Sequence, residues 1–169
     1  AIKSFEFGVV PLFVLMGLIL DKADVGRDAF QVAVLALRRV RGGLGIATVA
    51  ANAVFASITG SSIASAAVFS RIAVPPMLET GHTRRFAVGT VAGSSVLGML
   101  IPPSLLLIIY GLLAEVSIGS LFIAAIVPGI LLACAFSALI LVLARFFPGF
   151  TGEAAPLAEY EAMSAAGIA

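Results

Sequence analysis

The chain has 169 residues, of which 61% are hydrophobic and only 11% are charged. Soluble domains carry about 25% charged residues, so this composition excludes an ordinary water-soluble enzyme and a disordered chain alike. Ten Lys and Arg residues against nine Asp and Glu residues leave a net charge of +1, which offers no basic face to a nucleic acid.

The first predicted element is a membrane helix at residues 1–24, whose apolar part covers residues 7–20. A helix needs roughly 20 residues to cross a bilayer, so we interpret this segment as a span whose beginning is cut short. The chain starts without Met or a signal peptide, and we therefore expect it to begin within a longer protein. Residues 25–43 mix apolar and charged positions at helical spacing, which predicts an amphipathic helix lying in the membrane interface.

Residues 44–70 contain no charged side chain and are long enough to cross a bilayer. A continuous helix is nevertheless disfavoured by the small hydroxyl residues and glycine in the middle of this run, Ser57-Ile58-Thr59-Gly60-Ser61-Ser62. Cytoplasmic loops carry an excess of Lys and Arg. A spanning segment would divide the ten cationic residues five against five, whereas a segment that turns back would leave only Lys3 outside the cytoplasm. We therefore predict a re-entrant helical hairpin over residues 44–78, with its tip at residues 59–62.

Residues 84–114 are predicted to form a broken membrane helix, because their uncharged core is interrupted by Pro102 and Pro103. Each proline removes a backbone donor and restricts the residue before it. A proline pair inside a span is often a simple kink, but Gly98 just before it favours an unwound stretch. The helix that follows can then begin with proline at its first position.

Residues 119–146 form the most continuous predicted transmembrane helix, since their apolar run ends only at Arg145. Residues 147–169 are rich in Gly, Pro, Ala and Glu, and we expect them to form a disordered tail. His82 is predicted to be a solvated loop histidine. Cys134, the only cysteine, excludes a disulfide framework and is predicted to pack against lipid or a neighbouring helix.

Two helix breaks at membrane depth indicate a binding site, because non-helical backbone is tolerated there only when it is buried in protein or lines a water-filled cavity. Helix carbonyl ends and hydroxyl groups form a hard-oxygen ligand set suited to Na⁺, while helix N-termini suit a carboxylate. The alternative is that both breaks are packing features, with hydroxyls bonded to their own helices. An intramembrane enzyme is a third alternative, disfavoured because the only histidine lies outside the predicted spans.

Five motifs between residues 8 and 145 are weak singly and specific in combination. In chain order they are Pro11-Leu12-Phe13-Val14-Leu15-Met16-Gly17; Arg41-Gly42-Gly43-Leu44; Thr59-Gly60-Ser61-Ser62-Ile63-Ala64; Gly98-Met99-Leu100-Ile101-Pro102-Pro103-Ser104 with Ile109-Tyr110-Gly111; and Val116-Ser117-Ile118-Gly119 with Val127-Pro128-Gly129. Together they resemble the large membrane subunit of tripartite ATP-independent periplasmic (TRAP) transporters. The resemblance implies an all-α integral membrane protein, one of the two inverted repeats of an elevator-type transporter, with a re-entrant hairpin and a broken helix in each repeat.

In the family that the chain resembles, Na⁺ is held between the hairpin tip and the unwound stretch of the broken helix. The resemblance therefore implies an ion site, formed partly through the backbone and close to the substrate, by Thr59, Gly60, Ser61, Ser62, Gly98, Pro102, Pro103 and Ser104. It implies neither a catalytic residue nor an organic cofactor, since Na⁺ acts as the coupling ion.

The resemblance also implies partners, namely a small membrane subunit and a periplasmic solute-binding protein that delivers an organic acid such as a C4-dicarboxylate or sialic acid. The expected location is the bacterial inner membrane, where the protein contacts the lipid bilayer and crosses it several times. A second hairpin and a second broken helix are missing, so we expect half of the substrate site to lie outside this chain and the chain alone not to transport. From the residues alone, a Na⁺-coupled transporter subunit and a non-transporting membrane scaffold are both compatible with the pattern.

Overall fold

The computed structural model describes residues 11–12, 15–17, 19–20, 22–37, 40 and 42–152, and the regular structure of this part of the chain is helical. Its helices, in chain order, are α1 Val25–Leu37, α2 Gly43–Thr59, α3 Ser62–Ile72, α4 Val74–Glu79, α5 Arg84–Ser95, α6 Leu97–Leu100, α7 Leu105–Ala114, α8 Ile118–Phe146 and α9 Pro148–Thr151. The predicted all-α class is thereby confirmed. Most of the predicted first span, residues 1–24, and the predicted tail from residue 153 onward lie outside the described residues.

Two helical stretches are long and apolar enough to cross a membrane, namely Arg84–Ala114, with 31 residues, and Ile118–Phe146, with 29 residues. The core helix of a soluble protein would pass the same test, but it would be buried. Here large side chains such as Ile123 and Leu131 are more than half exposed, and Cys134 is exposed as well. Continuous apolar surface of this extent is unusual on a soluble monomer and is ordinary on a helix that faces lipid.

The centre of the described fold is α2, which is buried on nearly all sides. Val49 and Phe55 are among its fully buried side chains, and α1, α5 and α8 pack around it. The ring of Phe55 meets that of Phe69 in α3 edge to face, with ring centroids 5.8 Å apart. A helix that is apolar all round has to be covered, and other helices of the same chain cover this one.

A turn of two residues, Gly60 and Ser61, joins α2 to α3. Gly60 adopts the left-handed conformation, with φ 59° and ψ 18°, and its N–H donates to the carbonyl oxygen of Ala56. Ser61 is extended and caps α3, because its hydroxyl accepts a hydrogen bond from the N–H of Ala64 at 3.3 Å. The run of glycine and small hydroxyl residues therefore forms a tight turn between two helices.

The segment Arg84–Ala114 is interrupted twice, by Val96 and by residues 101–104. Two details differ from the sequence-based expectation. Gly98 is helical within α6, and α7 begins at Leu105, after both prolines. The prolines occupy the non-helical stretch itself, where their missing donors leave no helical hydrogen bond unmade.

Residues 147–152 are ordered, which corrects the prediction of a disordered tail from residue 147. Thr151 is buried, and its backbone carbonyl oxygen accepts a hydrogen bond from the N–H of Thr83 at 3.1 Å. Gly152 has φ +90°, and a Cβ atom there would overlap the carbonyl oxygen of Gly81. Order extends this far because the loop that follows α4 supplies hydrogen-bond partners to the backbone that follows α8.

His82 is buried, which corrects its interpretation as a solvated loop histidine. Its Nδ1–H donates to the carbonyl oxygen of Thr151 at 2.9 Å, and its ring centroid lies 5.1 Å from that of Phe86. Burial lowers the pKa of His82 below its ordinary value of 6.5, and the hydrogen bond to Thr151 offsets this only in part. Near neutral pH the ring is therefore uncharged, with its proton on Nδ1.

Candidate functional site

The hairpin turn and the break in the second helix meet through their backbones. The N–H of Leu105, the first residue of α7, donates to the carbonyl oxygen of Gly60 at 3.2 Å. A Cβ atom on Gly60 would overlap the carbonyl oxygen of Pro103 and would lie 3.2 Å from the Cα atom of Ser104. Both the left-handed backbone and this close approach therefore require glycine at position 60.

Gly98 makes a second close approach, between α6 and the start of α3. A Cβ atom on Gly98 would lie 2.8 Å from the carbonyl carbon of Ser61 and from the backbone nitrogen of Ser62. Van der Waals contact with a real Cβ atom begins only at about 3.4 Å, so no side chain fits here without a shift of backbone. Gly98 is therefore a contact residue that lets two backbones touch, and its absent side chain does not serve to unwind the helix.

The hydroxyl groups of the site keep unused lone pairs. Thr59 Oγ1 donates to the carbonyl oxygen of Phe55 at 2.9 Å, and Ser104 Oγ donates to that of Met99 at 2.7 Å. A hydroxyl carries one proton and two lone pairs, so both oxygens can still accept a hydrogen bond or a cation. Ser61 Oγ accepts one hydrogen bond as the cap of α3 and keeps a second lone pair.

Pro102 and Pro103 add two carbonyl oxygens to the same place. Neither carbonyl accepts a backbone hydrogen bond from any residue that the structure describes, and both residues are half-buried. Carbonyl oxygens without a partner are the natural ligands of a hard cation or the acceptors for an ordered water.

Four helix ends converge here. The C-termini of α2 and α6 bring carbonyl oxygens with partial negative charge, and the N-termini of α3 and α7 bring N–H groups with partial positive charge. None of the eight residues predicted for the site carries a charged side chain. Within the described ranges, no group of three or more His, Cys, Asp or Glu side chains could hold a metal ion.

The structure brings the two predicted groups of site residues together. Direct contacts join Gly60 to Pro103 and Ser104, and join Gly98 to Ser61 and Ser62. The remaining two predicted residues, at positions 59 and 102, flank these contacts in the chain. The resulting place combines carbonyl and hydroxyl oxygens, a type of ligand that suits a cation, with helix N-termini, which suit an anion.

Three buried polar residues of the hairpin and the broken helix escape the sequence analysis. Asn52 Nδ2 in α2 donates to Ser94 Oγ in α5 at 2.6 Å. Asn52 Oδ1 and Ser65 Oγ are buried without a hydrogen-bond partner among the described residues. A signal for Asn52 was available, since it is the only asparagine of the chain and interrupts a long uncharged run. Ser65 and Ser94 carry no such signal, because serine is common in packed membrane helices.

Comparison with known proteins supports a transporter. The family model described as "Tripartite ATP-independent periplasmic transporter, DctM component" matches residues 1–167. The C4-dicarboxylate TRAP transporter large permease protein DctM of Pseudomonas aeruginosa is 38% identical over 151 residues, which cover 86% of this chain and 35% of the relative. The sialic acid TRAP transporter large permease protein SiaM of Vibrio cholerae is 34% identical over 130 residues, which cover 77% and 30%.

A third relative, the isethionate TRAP transporter permease protein DctMQ of Oleidesulfovibrio alaskensis, is 34% identical over 131 residues, which cover 78% of this chain and 21% of the relative. The chain thus spans about a third of the length of the C4-dicarboxylate and sialic acid relatives, and less of this one. All three are permeases, which are transporters and not enzymes, in agreement with the expectation that the chain is not an enzyme. The resemblance seen in the sequence motifs is confirmed, and the chain belongs to the DctM component family of tripartite ATP-independent periplasmic transporters.

Proposed function

We propose that this chain is part of the large permease subunit of a Na⁺-coupled secondary transporter that imports organic acids, and that Na⁺ binds where the hairpin turn meets the break. The observation that carries the proposal is the backbone contact of Gly60 with Pro103 and Leu105. It places two non-helical stretches against each other. Such backbone is tolerated at membrane depth only where protein buries it or where it lines a cavity. Binding of a Na⁺ ion would be a function for the two stretches.

The available oxygens favour Na⁺ over other cations. The candidate ligands are the hydroxyl oxygens of Thr59, Ser61 and Ser104 and the carbonyl oxygens of Pro102 and Pro103, all uncharged hard donors. A divalent ion would call for carboxylates, which this group of residues lacks. Ser65 Oγ, one helical turn beyond Ser61, is a further candidate because it is buried without a partner in the described part of the chain.

The chain is proposed to lie in the bacterial inner membrane as one repeat of an elevator-type fold. In this arrangement α2 and α3 form a hairpin that enters from the cytoplasm and turns back, and α5, α6 and α7 form one broken span. This topology leaves only Lys3 outside the cytoplasm, and such an excess of Lys and Arg on the cytoplasmic side is what membrane proteins show. A second repeat, outside this chain, would supply the other half of the site and the rest of the transport path.

The substrate is proposed to be an organic acid. The names of the three relatives refer to C4-dicarboxylates, sialic acid and isethionate, and each of these molecules carries a carboxylate or a sulfonate. The N-termini of α3 and α7 suit such a group, because their free N–H groups and partial positive charge favour an anion. No charged side chain belongs to the described site, so a residue that pairs with the substrate would lie in the other repeat or on a binding protein.

The proposed partners are a small membrane subunit and a periplasmic solute-binding protein. The family description supports both, since it names a tripartite and periplasmic system of which this chain matches one component. The transporter is therefore expected to work only as an assembled complex.

Thermal stability of the complete permease subunit tests the ion site. The purified subunit is titrated with NaCl and with KCl at constant ionic strength, and we expect a rise in Tm that is specific for Na⁺, because an ion that binds the native state stabilises it. Ser61→Ala removes a ligand and also the cap of α3. Loss of the cap lowers Tm in both salts alike, whereas loss of the ligand flattens only the NaCl curve.

The matched control is Ser137→Ala on α8, whose hydroxyl bonds back to Ala133 of its own helix at 2.9 Å. This variant should keep the Na⁺-specific rise. Identical NaCl and KCl curves for the unmodified subunit would contradict the ion site and favour a non-transporting scaffold. A separate experiment tests coupling: in liposomes that hold the assembled transporter and its binding protein, uptake of the organic acid should require a Na⁺ gradient, and liposomes with this chain alone should take up none.

A further inference from the structure

A buried side-chain hydrogen bond joins the hairpin to the broken helix away from their meeting point. Asn52 of α2 and Ser94 of α5 are both fully buried, and Asn52 Nδ2 donates to Ser94 Oγ at 2.6 Å. In the described part of the chain, no other hydrogen bond links a nitrogen and an oxygen of two side chains. This pair is therefore a specific polar link within a largely apolar contact of two helices.

Stability does not account for Asn52. Its Oδ1 is buried and has no hydrogen-bond partner among the residues described. An unmet buried acceptor destabilises a protein at least as much as one neutral hydrogen bond stabilises it. An apolar side chain of similar size would avoid this penalty. The best-attested use of a polar residue at such an interface is to fix the register of two helices.

The hydrogen bond between Asn52 and Ser94 lies where it can fix the register of α2 on α5. Near the start of both helices, a Cβ atom on Gly45 would lie 3.1 Å from the ring of Phe86, and about two turns later Asn52 bonds to Ser94. The two helices therefore run side by side in the same direction. In that direction α2 ends at the turn that holds Gly60, and α5 leads through α6 to the break.

We propose that Asn52 and Ser94 are positioning residues for the Na⁺ site, an inference that rests on the function proposed above. Their hydrogen bond fixes the axial position of α2 on α5 and so holds the oxygens of the turn opposite those of the break. A slip by one helical turn, about 5.4 Å, would move the two sets of oxygens out of reach of a single ion. Hydrophobic attraction has no preferred direction, so the hydrogen bond adds a directional constraint that apolar attraction alone does not supply.

The test compares variants of the complete permease subunit by the Na⁺ concentration that gives half of the Na⁺-specific rise in Tm. Asn52→Leu keeps the number and branching of the side-chain heavy atoms and removes the amide, and Ser94→Ala is the milder change on the other side. Each is expected to raise the half-saturating Na⁺ concentration by about 10-fold to 100-fold, as the loss of groups that orient metal ligands does. The double variant should be no worse than either single variant, because both remove the same hydrogen bond.

Two variants serve as matched controls. Thr48→Val alters another fully buried polar residue of α2, whose hydroxyl bonds back to Leu44 of the same helix at 2.8 Å, and should leave the half-saturating concentration unchanged. Ser94→Thr keeps the hydroxyl and should preserve Na⁺ affinity. If Asn52→Leu and Ser94→Ala lower Tm equally in NaCl and KCl with an unchanged half-saturating concentration, the pair only packs and the inference is wrong. Absence of any Na⁺-specific rise in the unmodified subunit would instead overturn the proposed function together with this inference.

Discussion

The N–H of Leu105 and the carbonyl oxygen of Gly60 are joined by a hydrogen bond of 3.2 Å, so the hairpin turn completes the first turn of α7. A helix leaves the N–H groups of its first turn without acceptors inside the helix, and the two prolines before α7 prevent the helix from extending backwards to provide one. One of these groups is satisfied by a residue of a different element. The start of α7 and the tip of the hairpin are therefore expected to become ordered together.

Gly60→Ala should destabilise the permease and weaken Na⁺ binding. A left-handed backbone at a residue with a side chain costs about 1–3 kcal/mol. The new Cβ atom would also overlap the carbonyl oxygen of Pro103 and push the turn away from the break. Thermal unfolding in NaCl and in KCl measures both effects.

The control for this prediction is Gly89→Ala in α5. A Cβ atom there would meet no heavy atom within 4 Å, and the residue is helical. Alanine in a helix interior is favoured over glycine by about 0.5–1 kcal/mol, so Gly89→Ala should be neutral or stabilising. Equal losses of stability in the two variants would contradict the close approach at Gly60.

Ser104→Ala should lower both stability and Na⁺ affinity. The side chain of Ser104 is fully buried, and its Oγ donates to the carbonyl oxygen of Met99 at 2.7 Å across the unwound stretch. Loss of the hydroxyl leaves that carbonyl without this partner, which costs about 1–3 kcal/mol. Ser95→Ala is the control, since its hydroxyl bonds within its own turn to Ala92 at 2.8 Å. Unfolding curves at several Na⁺ concentrations distinguish the two, and a Ser104→Ala variant that matches Ser95→Ala in Na⁺ dependence would exclude Ser104 as a ligand.

Acidification should destabilise the contact between the loop after α4 and the segment after α8. His82 is buried as a neutral ring, and its pKa in the folded protein lies below the value of 6.5 that it has when unfolded. The unfolded state therefore binds more protons than the folded state as pH falls below 6.5, and stability is lost from there down through the lowered pKa.

The pH prediction is checked by Tm of the unmodified subunit and of His82→Gln between about pH 7.5 and about pH 5.5. Glutamine can donate to the carbonyl oxygen of Thr151 but does not titrate. The unmodified protein should lose Tm over this range, and the decrease should be smaller in His82→Gln. Parallel curves would assign the pH dependence to other groups.

Cysteine labelling tests the membrane topology. Three exposed positions in a Cys134→Ala background, Arg27→Cys, Glu79→Cys and Glu115→Cys, report on the ends of the hairpin and on the far end of the broken helix. A re-entrant hairpin puts residues 27 and 79 on the same side of the membrane and residue 115 on the other. A membrane-impermeant maleimide applied to intact cells should therefore label only Glu115→Cys. Labelling of only one of residues 27 and 79, with or without residue 115, would put these two residues on opposite sides of the membrane. That result would favour a spanning segment.

The two helix breaks could be predicted from the sequence because their causes are local. Proline lacks a backbone donor wherever it stands, and a run of glycine and hydroxyl residues favours a turn whatever surrounds it. The family motifs further indicate that the two breaks belong to one site. Local chemistry thus predicts where the helices stop and which residues are candidates for the site.

The contacts that depend on distant parts of the chain could not be predicted in this way. Gly98 resembles a helix breaker in sequence, but its real partner is the backbone of Ser61 and Ser62 on another helix. Asn52 meets Ser94 through tertiary packing. His82 resembles a solvated loop residue until the segment that holds Thr151 folds back over it. In each case the deciding neighbour lies far along the chain, beyond the reach of periodicity or turn chemistry.

The place where the hairpin meets the break is made of amides, carbonyls and hydroxyls, and none of its eight residues gains or loses a proton in the physiological range. A carboxylate ligand would let hydronium compete with a metal ion for the same oxygen, and lowering the pH would then displace the ion. Neutral oxygens of peptide groups and alcohols hold no such proton. A cation bound here would therefore experience little proton competition, and the same site could discriminate between two energy sources, a sodium gradient and a proton gradient, through the chemistry of its ligands alone.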